Sequence, residues 1–167
     1  MQPSDIRFTE RLRLEPVTER HAGDLLALYQ DPAVAEWYGE WTPEAIEAEV
    51  ARMARHWRVD GVHKWMAYHR STGELVGRGG LSRQQVDGVS RLEVGWVLHR
   101  RFWGQGYATE IGRAGVAMAF DELAAPEVVS FTEVHNARSR AVMERLGFRH
   151  TKDISVEGEP FALYVLD

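Results

Sequence analysis

The sequence predicts one domain of the α/β class, and three observations predict it. Ile46, Val50, Met53 and Trp57 recur at spacings of four, three and four, the stripe of a half-buried helix. Leu92, Val94, Trp96 and Leu98 alternate with Glu93, Gly95 and Val97, the period of a strand. A loop with two glycines joins that strand to a second helical stretch, and no repeat, low-complexity run or linker divides the chain. With 167 residues, 44% hydrophobic and 27% charged, the chain has one domain's length, room for a sizeable core and too much apolar content for disorder.

Taken in order, Asp5 to Val17 reads as a strand, with Leu12 and Leu14 set against Arg11, Arg13 and Glu15. Thr18 can cap a helix running to about Gln30, whose apolar side includes Leu25, Leu26 and Leu28. Glu36-Trp37-Tyr38-Gly39-Glu40-Trp41 reads as an aromatic and acidic connection. Thr42-Pro43 then starts the helix that carries the first stripe, since proline lacks only an N–H that the first turn leaves unused. Lys64 to Arg70, the turn Ser71-Thr72-Gly73-Glu74, and Leu75 to Leu81 read as a hairpin. Arg91 to Leu98 is the alternating strand. The glycine loop opens a helix from about Gly106 to Leu123, and Pro126 ends it. Val128 to Val134 is a β-branched strand, Asn136 to Leu146 a short helix closed by Gly147, and the tail two strands about Gly158.

Composition excludes several functions. The net charge of −5 argues against nucleic acid, whose phosphates need a concentrated basic surface. No apolar stretch reaches the roughly 20 residues that span a bilayer, and Met1 to Arg13 lacks the apolar middle of a signal peptide. Cysteine is absent, which removes disulfides and thiol chemistry, and a cytoplasmic setting is expected. The seven histidines show no metal-binding spacing, so no metal is expected. Between Asp31 and Val50 lie six acidic residues and no basic one, whereas His99-Arg100-Arg101 and Arg138, Arg140, Arg145 and Arg149 are basic. One region suits a cation and the other an anion, though solvated helix faces would read the same.

The loop Arg101-Phe102-Trp103-Gly104-Gln105-Gly106-Tyr107-Ala108 lets backbone N–H groups turn toward a ligand, and the helix behind it adds a partial positive charge. Together these make a pyrophosphate site. The spacing fits neither the three-glycine dinucleotide fingerprint nor the Walker loop. Arg101-x-x-Gly104-x-Gly106 resembles the signature of the GNAT superfamily of N-acetyltransferases. Leu92 to Leu98, Phe102 to Glu110, Asn136-x-x-Ser139 and Glu144 to Phe148 resemble its RimJ/RimL-like branch, as does the opening Thr9 to Leu14.

The resemblance implies a mixed, mostly antiparallel sheet with splayed middle strands and about four flanking helices. It also implies acetyl-CoA as cosubstrate and a primary amine as acceptor, on a protein N-terminus or a small molecule. Pantetheine would lie along Val97, Leu98 and His99, the pyrophosphate on the loop from Arg101 to Ala108, and Asn136 beside the pantetheine arm. Asn136 also suits a helix N-cap. Acyl transfer to an amine needs a neutral nucleophile and a proton for the departing thiolate. Glu93 is the candidate base, although an exposed strand carboxylate paired with arginine would look alike. Many superfamily members place a tyrosine acid where this chain has Met143. One turn earlier stands Ser139, which by resemblance to the branch would serve the thiolate; helix capping is its plainer use. Glu36, Glu40, Trp37, Tyr38 and Trp41 fall in the acceptor-side loop, where the aromatics either wall a pocket or pack on a helix. The acidic segment tilts the expectation toward a cationic acceptor. An acyl-CoA-binding regulatory module without turnover, a transferase for a larger acyl group such as succinyl, and a monomer or homodimer all remain open.

Overall fold

A computed structural model describes residues 5–167; the part of the Met1 to Arg13 reading that concerns residues 1–4 lies outside them. The chain runs β1 (Arg7–Phe8), β2 (Leu12–Pro16), α1 (Ala22–Gln30), α2 (Pro32–Tyr38), α3 (Pro43–Asp60), β3 (Lys64–His69), β4 (Leu75–Val86), β5 (Val89–Leu98), α4 (Tyr107–Ala117), β6 (Val128–Glu133), α5 (Ala137–Arg145), β7 (Arg149–Val156) and β8 (Glu159–Leu166). The strands form one eight-stranded sheet in the order β1-β2-β3-β4-β5-β6-β8-β7. Every neighbouring pair is antiparallel except β5 and β6, which are parallel and share the single register pair Glu93 with Val129. This is the α/β class expected, with the mixed, mostly antiparallel sheet that the resemblance implied and five α-helices about it.

Two stretches before residue 40 differ from expectation. The Asp5 to Val17 strand is broken at Thr9, whose N–H bonds to the Leu12 carbonyl at 2.9 Å while its hydroxyl accepts from the Leu12 N–H at 3.1 Å. The polar turn folds the chain back, and β1 pairs with β2 instead of extending it. The aromatic connection is helical as far as Tyr38. Asp31 caps α2 by accepting from the Ala33 N–H at 3.0 Å, Pro32 fits the first turn, and Gly39 ends the helix at φ +75°.

Strand alternation sorts the sheet into two faces. Leu81, Val94, Leu98 and Tyr164 lie on one, packed with Ile111 and Met118 of the helix after the glycine loop and with Met143 of α5. Met66, Tyr68 and Val97 lie on the other, under Leu25 and Leu28 of α1 and Val50 and Met53 of α3. Ile46, Val50, Met53 and Trp57 are all buried, so the stripe read from the sequence is the core face of α3. Each fully buried side chain of this kind contributes roughly 1.5–3 kcal/mol, so both helical layers are firmly held to the sheet.

Candidate active site

Beyond Glu93 and Val129 no ladder pair joins β5 to β6. Ser130 adds a bond beside it, donating its hydroxyl to the Val94 carbonyl at 2.7 Å. The strands then part, leaving the β6-facing edge of Trp96 to Leu98 outside any sheet ladder. A cleft of about 1080 Å³ opens on the α4 and α5 side of this gap. Leu98, Phe102, Trp103, Gly104, Gly106, Tyr107 and Ala108 line it together with Arg11, Arg113, Arg138 and Arg145.

The glycine loop forms one wall. Gly104 and Gly106 hold φ of +72° and +84°, which side chains with a Cβ adopt only under strain, and a Cβ on Gly104 would meet nothing within 4 Å. No side chain caps α4, so its first-turn N–H groups stay available at the cleft. Arg11 locks this wall. Its guanidinium lies 3.9 Å from the Tyr107 ring centroid and donates to the Gln105 carbonyl at 2.8 Å and to Glu110 at 2.8 Å. Glu110 also accepts from the Arg11 N–H at 2.8 Å and from the Thr9 hydroxyl. Burial pushes the Glu110 carboxyl up, but these donors outweigh it and hold the group below the ordinary carboxylate range. The other wall carries Arg138, whose guanidinium lies 4.7 Å from the Trp103 ring centroid, and Arg145, which donates to Thr109 at 3.1 Å. Open amides in a cleft lined by four guanidinium groups make a site suited to phosphate groups.

Glu93 lies on the opposite face of the sheet, at the seam where the strands part. It is buried, and the partner is a lysine rather than an arginine: Lys64 Nζ donates to Oε2 at 2.7 Å. Lys64 also reaches the carbonyls of Gly80 at 3.2 Å and Glu93 at 3.4 Å. Burial pushes the Lys64 ammonium below its ordinary value, opposed by the charge of Glu93. Oε1 of Glu93 has no hydrogen-bond donor among the described residues; it lies 2.6 Å from where a Cβ on Gly95 would stand. Gly95 therefore keeps that oxygen's space open at the start of the gap.

The remaining candidates separate into two groups. Ser139, in the first turn of α5, gives its N–H to Asn136 Oδ1 at 3.2 Å, while its hydroxyl has no partner among the described residues. Asn136 is the N-cap of α5, and its amide also donates to Thr132 at 3.0 Å. Met143, at the superfamily's tyrosine position, is buried in the core. The Val97 side chain packs under α1 and α3, the Leu98 carbonyl accepts from the Trp103 indole at 3.0 Å, and His99 contacts Asp31 at 3.2 Å. Arg101 points to Glu74 at 2.8 Å, and Gln105 bonds to the Arg101 carbonyl; neither side chain lines the cleft. On the other face, Trp37 stacks on His135 at 5.1 Å, joining α2 to the segment after β6. Tyr38 stacks on Tyr29 at 5.8 Å, and Trp41 packs at 5.2 Å from Tyr29 while bonding to the Tyr38 carbonyl. Glu36 and Glu40 are exposed. The sequence reading missed Arg11, Lys64, Glu110 and Arg113. Lys64 alone left a trace, as the one charge in an otherwise apolar strand start.

Residues 11–149 match the family described as "Acetyltransferase (GNAT) domain". The uncharacterized protein YkkB of Bacillus subtilis is 31% identical over 158 residues, covering 93% of this chain and 92% of its own. The FsC-acetyl coenzyme A-N(2)-transacetylase of Aspergillus fumigatus is 33% identical over 154 residues, covering 86% of this chain and 65% of its own. The crystal structure of an acetyltransferase from Agrobacterium tumefaciens superposes with a TM-score of 0.82 at 24% identity, over 98% of this chain and 94% of that one. Fold, cleft and relatives agree, and the chain belongs to the GNAT family of acetyltransferases.

Proposed function

We propose that the protein transfers an acetyl group from acetyl-CoA to a primary amine by direct attack in a ternary complex, as a RimJ/RimL-like member of its family. The observation that supports this reading is the end of the β5 and β6 ladder after one register pair, with the arginine-lined cleft on one face of the sheet and Glu93 on the other. Acetyl-CoA supplies an acetyl thioester already activated toward an amine. In this reading the amides from Phe102 to Ala108 and the guanidinium groups of Arg11, Arg113, Arg138 and Arg145 hold the phosphates, and the backbone of Val97 to His99 guides the pantetheine. Asn136 keeps its cap and offers its second amide proton to the same arm. The uncommitted hydroxyl of Ser139 donates to the thiolate sulfur, and Oε1 of Glu93 takes the amine proton, directly or through one water. Glu93 is held in place for this by Lys64. Trp37, Tyr38 and Trp41 bound the acceptor side, with Glu36 at its rim. The A. fumigatus relative's name assigns its acetyl group to an N(2) nitrogen, which supports an amine acceptor here.

A thiol-release assay with acetyl-CoA tests this against primary amines that include peptide N-termini, lysine and a polyamine. Thiol release above the no-acceptor background with at least one amine is expected. Coenzyme A binding with no release above that background for any amine, or release only with succinyl-CoA, would overturn the reading.

A further inference from the structure

The acceptor face holds a cation that the transfer step leaves without a task. Arg78 stands on β4 opposite Val97 of β5, on the face that carries Lys64, Glu93 and Gly95. Its Nε donates to the Tyr29 hydroxyl at 2.9 Å, and its guanidinium lies 5.7 Å from the centroids of both the Tyr29 and Tyr38 rings. Among the described residues no carboxylate forms an ion pair with it, because the nearby Glu93 spends Oε2 on Lys64. A partly buried guanidinium held by ring faces and one phenol keeps its terminal N–H groups in a fixed fork, the geometry that binds a carboxylate.

Negative charge waits across the gap. Glu133 falls on this same face by alternation from Val129, its side chain has no hydrogen-bond partner among the described residues, and its field reaches Tyr38. Tyr38 is half exposed, and burial pushes its phenol up to about 12, so it remains a neutral group beside Arg78. The face therefore presents a guanidinium without a carboxylate partner on β4 and the unpartnered carboxylate of Glu133 across the gap on β6, with Oε1 of Glu93 at the seam between them, a charge pattern complementary to a zwitterion.

We infer that Arg78 selects the acceptor by binding a carboxylate on it, so that the substrates are compounds carrying both a primary amine and a free carboxylate. The inference rests on the acetyltransferase reading above and replaces the purely cationic acceptor that the acidic Asp31 to Val50 segment suggested. That segment's carboxylates are otherwise engaged or turned to solvent: Asp31 caps α2, Glu49 pairs with Arg52, and Glu44 and Glu47 are exposed. In the inferred complex the amine enters toward Glu93 and Glu133, while the carboxylate is held at Arg78.

The test compares kcat/KM for α-amino acids and for ω-amino acids from glycine to 6-aminohexanoate with that for the carboxamide of each. The wild type should prefer at least one acid over its amide by about 100-fold, because the amide leaves the guanidinium without its counter-charge. Arg78→Gln should reduce that acid-to-amide ratio to near unity, and Arg78→Lys should restore part of it. Equal use of acids and amides by the wild type overturns the inference while leaving the transferase reading intact. An unchanged ratio in Arg78→Gln overturns it as well. Thiol release with no amine of any kind would overturn the reading on which it rests.

Discussion

Glu93→Gln tests the buried pair at the seam. The substitution preserves shape and leaves the Lys64 ammonium, whose side chain is 7% exposed, facing two carbonyls and an amide oxygen instead of a carboxylate. Two routes are then open to the folded state. Keeping the charge costs about 3–5 kcal/mol, the usual penalty for removing one partner of a buried pair. Shedding the proton costs about 1.4 kcal/mol per pH unit below an unfolded pKa near 10.4, a ceiling of about 5 kcal/mol at pH 7 and about 1 kcal/mol at pH 9.5. The variant's lysine thus has a folded pKa below its unfolded one, the unfolded chain binds the extra proton, and stability is regained as pH rises. Urea unfolding at the two pH values reads this directly. The expected result is a deficit of about 3–5 kcal/mol at pH 7, equivalent to roughly 10 °C in Tm, that shrinks toward pH 9.5. Adding Lys64→Met should recover much of the loss. A deficit below about 1 kcal/mol at pH 7, or one that does not change with pH, would refute the buried-pair argument.

Two further outcomes are expected. Ser139→Ala should lower kcat for thiol release about 10- to 100-fold while leaving the calorimetric Kd for coenzyme A within about two-fold; unchanged turnover would remove the hydroxyl from the mechanism. Glu110→Gln should cost about 1.5–3 kcal/mol at pH 7 through its bonds to Thr9 and Arg11. Because the folded pKa of Glu110 is depressed, its contribution is complete above the unfolded value near 4.3 and disappears as pH falls through the folded one. Urea unfolding at pH 7 and near pH 3 should therefore show a gap between wild type and variant that narrows in acid, and a constant gap would contradict the assignment.

Most helices and strands were legible because their signals are local. The α3 stripe, the Thr42-Pro43 start and the Gly147 and Gly158 turns all lie within a few residues of what they specify. One local signal was passed over: Asp87-Gly88 separates β4 from β5, and both residues take the positive φ of a two-residue hairpin turn. It lengthens β4 to Val86. The α2 helix was hidden because only seven residues long it carries no full stripe, and its cap is an aspartate followed by proline. At the site, the loop and Ser139 are proposed from motifs in continuous sequence. Arg11 with Glu110, Lys64 with Glu93, and Arg78 with Tyr29 and Tyr38 escaped because each pairing spans at least 29 residues of chain. Only the sheet order brings them together.

Calorimetric titration of acetyl-CoA into the wild type and a Gly104→Trp variant asks whether the glycine loop holds the nucleotide. The indole would stand in the open space at the glycine loop, on a residue whose φ is +72°. Saturable binding by the wild type is expected, with its loss in a variant that still unfolds cooperatively. Undiminished binding by the folded variant would move the nucleotide away from this loop, and no binding by the wild type would contradict the assignment of the cleft to coenzyme A.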